Sequence, residues 1–303
     1  MAGFAVTVYA FGIVVAVTIV WLVVQRRRPA DLPARIAPVI AAARRRALIA
    51  VACALVVFLA VAIAGLSLPG LLGWPIAIAP LVAAAAGMLL YAATPPRDVE
   101  VPADRPRTAS LSRRSWRTSI PRRWLLAGVE IGAVFVAVIV FCGITASTDD
   151  QGRSRAIRFE SAMASSESSP YPGWFYGIPA LLGLALLITA TIVALQRIGA
   201  VAAFPDPDDT DADARWRGQS ASVVLKLAVG AALFSLGGVT LIGGSAMGSA
   251  VLDSTPIVWS VLGSVLLCAG VLFLVLSIVS VTLAALTAFT IGERIGRVPE
   301  TVR

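Results

Sequence analysis

The chain has 303 residues, of which 58% are hydrophobic and 14% charged, and its formal net charge is +8. Soluble domains carry about 25% charged residues, so this composition excludes an ordinary soluble protein and indicates an integral membrane protein. Histidine is absent from the sequence. That absence removes the commonest metal ligand and general base, and with it histidine-dependent zinc sites and Ser-His-Asp triads.

Seven apolar runs are each long enough to cross a bilayer core, which requires roughly 20 residues per helix. They predict an all-α, polytopic membrane helix bundle with seven transmembrane helices. The predicted spans are 3–24, 47–67, 71–93, 124–146, 176–198, 221–247 and 257–288. The first run has no basic segment before it and is followed by "QRRR", so we expect an uncleaved helix rather than a signal peptide. The last run contains no turn signal, so we expect one long helix that tilts or extends beyond the membrane.

The arginines give the predicted orientation. Segments 25–46 and 94–123 carry seven and eight of them, and three more lie in each of 197–220 and the C-terminal tail. If seven spans alternate, these twenty-one arginines share one side, against three in segment 147–175 on the other. Because cytoplasmic loops are enriched in basic residues, we expect a plasma-membrane protein with its N-terminus outside and its C-terminus cytoplasmic.

Three loops differ in composition. Segment 94–123 is a basic cytoplasmic loop, and 147–175 is a Ser- and Pro-rich extracytoplasmic loop that we expect to be a poorly ordered connector, with a ligand-binding loop as the alternative. The acidic cytoplasmic loop 199–220 does not fit a calcium-binding loop, so we expect a solvated acidic turn and no metal site. Its clustered aspartates are Asp206, Asp208, Asp209, Asp211 and Asp213. Segment 29–46 is either a short interfacial helix or a linker.

The basic loop contains the stretch "RTASLSRRSWRTSIPRRW". Arginines held near anionic headgroups contribute about 1 kcal/mol each, so lipid contact is the expected role. The candidate headgroup contacts are Arg107, Arg113, Arg114, Arg117, Arg122 and Arg123. Nucleic-acid binding would call for a folded basic surface or interleaved aromatic residues, and we expect no nucleic-acid partner. Phosphorylation of Ser110 or Ser115 would weaken the lipid contact.

Two ionisable residues stand inside predicted spans, where charge is costly and usually functional. Glu130 lies seven residues after Arg123, and Lys226 lies nine after Arg217. Both spans begin on the cytoplasmic side, so the two side chains are expected at a similar depth of roughly 10 Å and form a candidate intramembrane ion pair. Three roles remain open for them: a structural pair, a proton or substrate site, or a lysine that reaches the inner headgroups.

Small residues recur at helical spacing in three predicted spans. Gly128 and Gly132 form a GxxxG sequence around Glu130, which favours close approach of a neighbouring helix. The sixth and seventh spans carry small residues seven apart, and we expect these two spans to pack tightly together. The candidate helix-packing residues are Gly128, Gly132, Gly230, Gly237, Gly244, Gly263, Gly270 and Ser277.

The string before the fourth span, together with the Ala/Val/Arg bias of the chain, resembles uncharacterised multi-pass membrane proteins of high-GC Gram-positive (actinobacterial) bacteria. In those proteins an Arg-x-Ala-x-Leu element, basic residues and a Pro-Arg pair commonly precede a helix. The matching positions are Arg107, Ala109, Leu111, Pro121 and Arg122, and the aromatic residue often found before the proline is Ser119 or Ile120 here. The resemblance implies no assigned activity and no catalytic residue.

These features predict a non-enzymatic accessory or scaffold subunit, because no Walker, GxSxG or HExxH sequence is present. No cofactor is expected. The expected partners are anionic inner-leaflet lipids, with a membrane-protein partner or a homo-oligomer left open. Two alternatives remain: a small-solute or ion permease that uses Glu130 and Lys226, and a membrane sensor with loop 147–175 outside.

Overall fold

The computed structural model describes residues 36–96, 121–162, 164–201, 204 and 209–292. Within these ranges the chain forms six long helices and one small sheet. The helices are α1 (Ala37–Ser67), α2 (Trp74–Ala93), α3 (Arg122–Thr145), α4 (Trp174–Ala200), α5 (Thr210–Ala250) and α6 (Ile257–Phe289). All six are long and apolar enough to cross a membrane. The prediction of a helical membrane bundle is confirmed to that extent, whereas span 3–24 lies outside the described residues and stays a prediction.

Proline and glycine mark where α1 ends and α2 begins. A single 3-10 turn, Pro69–Leu71, separates the two helices. Gly73, the residue before α2, has a φ of 80°, a left-handed conformation that glycine adopts without steric cost. Pro75 then stands in the first turn of α2, where its missing N–H would have no helical partner. The sequence therefore forces a tight reversal between two antiparallel helices.

Two helices begin earlier than the apolar runs predicted. α1 starts at Ala37 rather than near residue 47, so residues 37–46 are the first turns of a membrane helix and not a separate linker or interfacial helix. α5 starts at Thr210 and contains 41 residues, which is about 61 Å of helix. These first turns contain charged residues, so a count of apolar residues did not include them in the predicted helices.

The expected solvated acidic turn is wrong for Asp209 and Asp213, which are buried, whereas Asp211 is exposed as expected. Asp206 and Asp208 lie outside the described residues. Asp213 is buried, and its carboxylate accepts hydrogen bonds from Arg217 Nε at 3.0 Å and from Trp216 Nε1 at 3.0 Å. Arg217 Nη1 also donates to the carbonyl oxygen of Ile198 at 2.9 Å, close to the end of α4. The arginine thus satisfies both a buried carboxylate and a terminal helix carbonyl, two groups that are costly to leave unpaired.

α5 is the central helix of the bundle and contacts each of the other five. In its most apolar eighteen-residue stretch 83% of the residues are buried, compared with 17% in α1 and α3 and 33% in α6. The remaining helix contacts pair α1 with α2 and with α6, α2 with α4, and α3 with α4. The outward faces of α1, α3 and α6 therefore form most of the apolar surface.

The longest helix contact joins α5 to α6 and is built on glycines. A Cβ atom placed on Gly244 would lie 2.5 Å from the carbonyl oxygen of Gly263, and one placed on Gly237 would lie 2.8 Å from Leu274. Larger side chains would push the two backbones apart, so close packing here depends on small residues. The same contact contains Gly230, Gly270 and Ser277.

The two ends of the bundle differ in charge. One end, here the basic end, carries most of the described arginines: Arg44, Arg45, Arg46, Arg122, Arg123, Arg197, Arg215 and Arg217. The opposite end, the sheet end, carries the strands β1 (Ser147–Thr148), β2 (Ser154–Glu160) and β3 (Ser165–Ser168), which pair antiparallel in the order β1-β2-β3.

The expectation of a poorly ordered connector at 147–175 is wrong. Ile157 of β2 is buried in a cluster with Cys142 of α3 and Met247 of α5. Arg158 of β2 lies directly opposite Glu167 of β3, and their side chains form an ion pair. Buried Ile157 on one face and the Arg158–Glu167 pair on the other stabilise the sheet. The serine-rich composition of this segment gave no indication of it.

Candidate functional site

A cleft opens at the basic end where α3, α5 and α6 meet, and we call it the Lys226 cleft. Its volume is about 450 Å³. The polar residues that line it are Arg123, Trp124, Lys226, Thr287 and Thr290, beside two leucines, Leu283 and Leu286. The cleft therefore combines two cationic side chains with hydroxyl groups and an indole, within an otherwise apolar bundle.

Lys226 is the best-defined member of this cleft. Its side chain comes from the centre of α5, and only 8% of the residue is exposed. The Nζ atom donates a hydrogen bond of 2.6 Å to Thr287 Oγ1 and lies 5.5 Å from the centre of the Trp124 ring. The Thr287 hydroxyl in turn donates to the carbonyl oxygen of Leu283. A hydroxyl and an aromatic face thus position the ammonium group in the apolar surroundings of α5 and α6.

Trp124 supplies an unusual feature of the same cleft. Its indole Nε1 is buried, and among the described residues this donor has no hydrogen-bond acceptor. Indole N–H groups are donors only, and most buried polar atoms find a partner. The neighbouring ammonium of Lys226 is itself a donor and cannot satisfy it.

The predicted pair of Glu130 and Lys226 is not formed. Lys226 contacts Thr287 and Trp124, whereas Glu130 is exposed on the outward face of α3. The prediction that the two side chains lie at equal depth counted residues from Arg123 in α3 and from Arg217 in α5. Arg217, however, is bonded to the end of α4 and does not mark the membrane boundary of α5. Trp124 lies level with Lys226, so Glu130 stands about 9 Å further along α3.

Helical geometry also separates Glu130 from the glycines on either side of it. A Cβ on Gly128 would meet Val229 of α5 at 3.7 Å, an ordinary contact, and one on Gly132 would meet nothing within 4 Å. Residues two apart in a helix lie about 200° apart around its axis. The GxxxG sequence therefore does not bring a backbone close, and Glu130 faces away from the side on which Gly128 meets α5.

The predicted lipid contacts are only partly described. Arg122 and Arg123 occupy the first turn of α3 and are exposed at the basic end, and Arg123 also lines the Lys226 cleft. The other candidate contacts, and the two serines considered for phosphorylation, lie outside the described residues: Arg107, Arg113, Arg114, Arg117, Ser110 and Ser115.

A second, smaller hollow of about 160 Å³ lies at the same end, beside Arg46 and Arg197. Arg46 is already engaged: its Nη2 donates to the carbonyl oxygen of Tyr91 at 3.0 Å, and its Nε donates to Thr94 Oγ1 at 3.2 Å. The guanidinium carbon also lies 4.6 Å from the centre of the Tyr91 ring. This hollow thus forms part of the contact that holds the end of α2 against α1.

At the sheet end, Asp149 organises the turn between β1 and β2. Its Oδ1 accepts the backbone N–H groups of Gln151 at 3.0 Å and Arg153 at 2.8 Å, and its Oδ2 accepts a bond from Arg155 Nε. The bond from the Arg155 guanidinium, followed by these N–H groups, holds the pKa of the Asp149 carboxyl well below its usual range. This carboxylate therefore stays ionised and stabilises the turn.

The chain matches no protein-family model, and comparisons with curated proteins and with solved structures found no significant similarity. Its chemistry is consequently the guide to its role. The Lys226 cleft presents positive charge and hydrogen-bond donors, a combination that suits an anion.

Sequence reasoning missed the partners of Lys226, although a signal for one of them was present. Lys226 lies four residues before Gly230 on α5, and Thr287 lies three after Ala284 on α6. These spacings continue the two small-residue faces that meet at the α5–α6 contact. Extending that contact by one turn toward the basic end would have placed the lysine opposite the threonine.

Proposed function

We propose that the chain is a non-enzymatic plasma-membrane protein that acts as an accessory or scaffold subunit and contacts a membrane-protein partner through the outward face of α3. The basic end faces the cytoplasm and the sheet end faces outside, because basic residues concentrate at cytoplasmic ends of membrane proteins. Within the part of the chain that the structure describes, Glu130 is exposed on an apolar surface with no side chain paired to it, and this observation carries the proposal.

The polar side chains between the helices support a structural role over a transport role. Ser277 Oγ donates to the carbonyl oxygen of Gly230 at 2.7 Å, and Ser280 Oγ donates to that of Lys226 at 2.8 Å. Ser235 Oγ likewise donates to the carbonyl oxygen of Ala77 on α2. These hydroxyls bond one helix to another, so they stabilise the bundle and are not available to line a path for a solute.

Glu130 points to the face on which a partner binds. It stands about 12 Å along α3 from Arg122, next to Val129, which is 64% exposed. A carboxylate facing hydrocarbon is costly, and membrane proteins normally turn such groups toward another protein surface. The exposed residues Ala133 and Ala137 continue the same face and leave room for a helix. A partner helix with a basic or hydroxyl side chain at this depth would cover the carboxylate.

Photo-cross-linking in native membranes tests this proposal. A photoreactive residue at Ala133 of α3 is expected to give a protein adduct, whereas the same residue at Leu272, 55% exposed on α6, is expected to give lipid adducts only. Glu130→Ala is expected to reduce the Ala133 adduct several-fold, because the carboxylate is the proposed polar contact. An adduct with a second copy of the chain would identify a homo-oligomer as the partner.

Lipid adducts alone at Ala133, in cells that contain the chain at its natural level, would overturn the scaffold proposal.

A sensor is the second candidate function, and the ordered sheet at the outer end favours it. Its ion pairs and buried anchor give β2 and β3 a fixed surface. Ligand-dependent protection of β2 and β3 amide hydrogens from exchange would support the sensor.

A further inference from the structure

The Lys226 cleft carries an inference that does not depend on the proposed partner. The cleft opens at the basic end between α3, α5 and α6, and Glu130 lies on a different face of α3. Ligand binding in the cleft and helix contact at Glu130 can therefore be tested separately.

Three kinds of group in the cleft favour an anion. Lys226 places a positive charge at its inner wall, and Arg123 places a second one at its rim. The buried Nε1 of Trp124 offers a donor that no described residue accepts. A charged ligand oxygen that accepted this N–H would form a charge-assisted hydrogen bond, and the buried indole nitrogen would then have an acceptor.

The position of the cleft narrows the choice of anion. Trp124 belongs to the first turn of α3, and tryptophan rings favour the headgroup level of a bilayer. Exposed Arg122 stands beside it, as expected where a helix meets anionic headgroups. The anionic groups concentrated at this level are the phosphates of phospholipids, and basic pockets between membrane helices are known to take such groups.

We propose that the Lys226 cleft is a binding site for an anionic phosphate group at the inner headgroup level. The Trp124 indole N–H donates to a phosphate oxygen, and Lys226 and Arg123 neutralise the charge. The hydroxyls of Thr287 and Thr290 line the same wall. The same chemistry would accept the headgroup of an anionic lipid or a soluble phosphate, and the source is decided by experiment.

Thermal unfolding of the purified full chain in a non-ionic detergent tests the site. Phosphatidylglycerol is expected to raise the melting temperature by about 5 °C, and zwitterionic phosphatidylcholine is expected to raise it by less than about 1 °C. Inorganic phosphate at millimolar concentration is added in a third arm. An effect of phosphatidylglycerol alone identifies a lipid headgroup, and an equal effect of inorganic phosphate identifies a soluble source.

Variants locate the effect. Lys226→Met is expected to abolish the shift. Trp124→Phe, which keeps an aromatic ring beside the lysine but removes the indole N–H and the second ring, is expected to reduce the shift by at least half. Arg123→Gln, at the exposed rim, is expected to reduce the shift in melting temperature as well. This variant tests the site if Lys226→Met does not fold. Arg197→Gln at the second hollow is the matched control and is expected to keep the full shift.

Two results would overturn the proposal. One is a full phosphatidylglycerol shift in both Trp124→Phe and Arg123→Gln, because the ligand would then bind elsewhere. The other is an equal shift with phosphatidylcholine and phosphatidylglycerol, because the cleft would then not select an anionic phosphate.

Discussion

Lys226 of α5 and Thr287 of α6 are joined by a hydrogen bond of 2.6 Å from Nζ to Oγ1. Toward the sheet end, the same two helices are held by the close approach of Gly237 and Gly244 to α6. Toward the basic end, they are held by side-chain bonds, of which Ser280 Oγ to the carbonyl oxygen of Lys226 is a further example. The α5–α6 contact thus changes along its length from glycine packing to hydrogen bonding.

Thr287→Val is expected to lower the free energy of unfolding by about 1.5 kcal/mol, because it removes the acceptor of a charged donor. Helix content measured by circular dichroism during unfolding in mixed micelles checks this value. In the Lys226→Met background the same change is expected to cost less than about 0.5 kcal/mol, since the bond is already absent.

Thr189→Val on α4 is the control for that experiment. The Thr189 hydroxyl is exposed and donates to the carbonyl oxygen of Ala185 in its own helix. Its removal is expected to change stability by less than about 0.5 kcal/mol. Equal costs for Thr287→Val in the wild-type and Lys226→Met backgrounds would contradict a bond between Thr287 and Lys226.

Gly244→Ala is expected to destabilise the bundle by about 1–3 kcal/mol. The added Cβ would lie 2.5 Å from the carbonyl oxygen of Gly263 and 2.6 Å from the amide nitrogen of Leu267, and both are backbone atoms that cannot rotate away. The midpoint of unfolding in mixed micelles reports the change.

Gly248→Ala, on the same helix, is the matched control for glycine packing. A Cβ at this position would meet nothing within 4 Å. The substitution is expected to stabilise the chain by about 0.5 kcal/mol, because alanine favours helix more than glycine does. If both alanine variants proved equally stable, close packing at Gly244 would not be important for the α5–α6 contact.

The length of each apolar run was sufficient to predict the six described helices, because that length can be read from one continuous segment of the sequence. The start of α5 was not predictable in that way. Residues 210–220 are polar, and they are helical because Asp213, Trp216 and Arg217 bond to one another and Arg217 bonds to the end of α4. The bonds of Asp213 are local, at i,i+3 and i,i+4 spacing, but the bond from Arg217 to Ile198 joins segments that are separate in sequence. No local pattern reveals that second kind of bond.

Relative depth was the weakest part of the site prediction. The prediction placed Glu130 beside Lys226 by counting residues from two arginines, and the sequence gives no information on how far each helix extends beyond the membrane.

The sheet was missed for a different reason, since serine-rich sequence resembles a flexible loop. Complementary charges nine residues apart, Arg158 and Glu167, were the available cue for a hairpin.

Asp149→Asn is expected to make the sheet end less stable at neutral pH and to remove part of its pH dependence. The folded pKa of Asp149 is depressed by the bond from the Arg155 guanidinium, so its contribution is complete above the ordinary pKa of about 3.9. As pH falls below that value, protonation removes the contribution. The difference between the wild-type and Asp149→Asn melting temperatures is therefore expected to shrink as pH falls below about 4 toward the depressed folded pKa.

Asp150→Asn, at the exposed neighbouring residue, is the control for the acid titration. It is expected to follow the wild-type melting curve at every pH, because Asp149 holds the turn. A constant difference between wild type and Asp149→Asn from neutral to acidic pH would contradict a role for the ionised carboxylate.

Flux measurements in proteoliposomes separate the scaffold from the permease. Glu130→Gln and Lys226→Met are expected to leave proton, chloride and phosphate flux unchanged within about twofold, because Glu130 faces outward and Lys226 is bonded across the α5–α6 contact. Lys226→Met is nevertheless expected to lower stability in detergent. A permease whose pathway used these two residues would instead lose at least about tenfold in flux while Glu130→Gln remained fully folded. That combination would favour transport over a scaffold role, since the exposed carboxylate would then act on the solute and not on a partner helix.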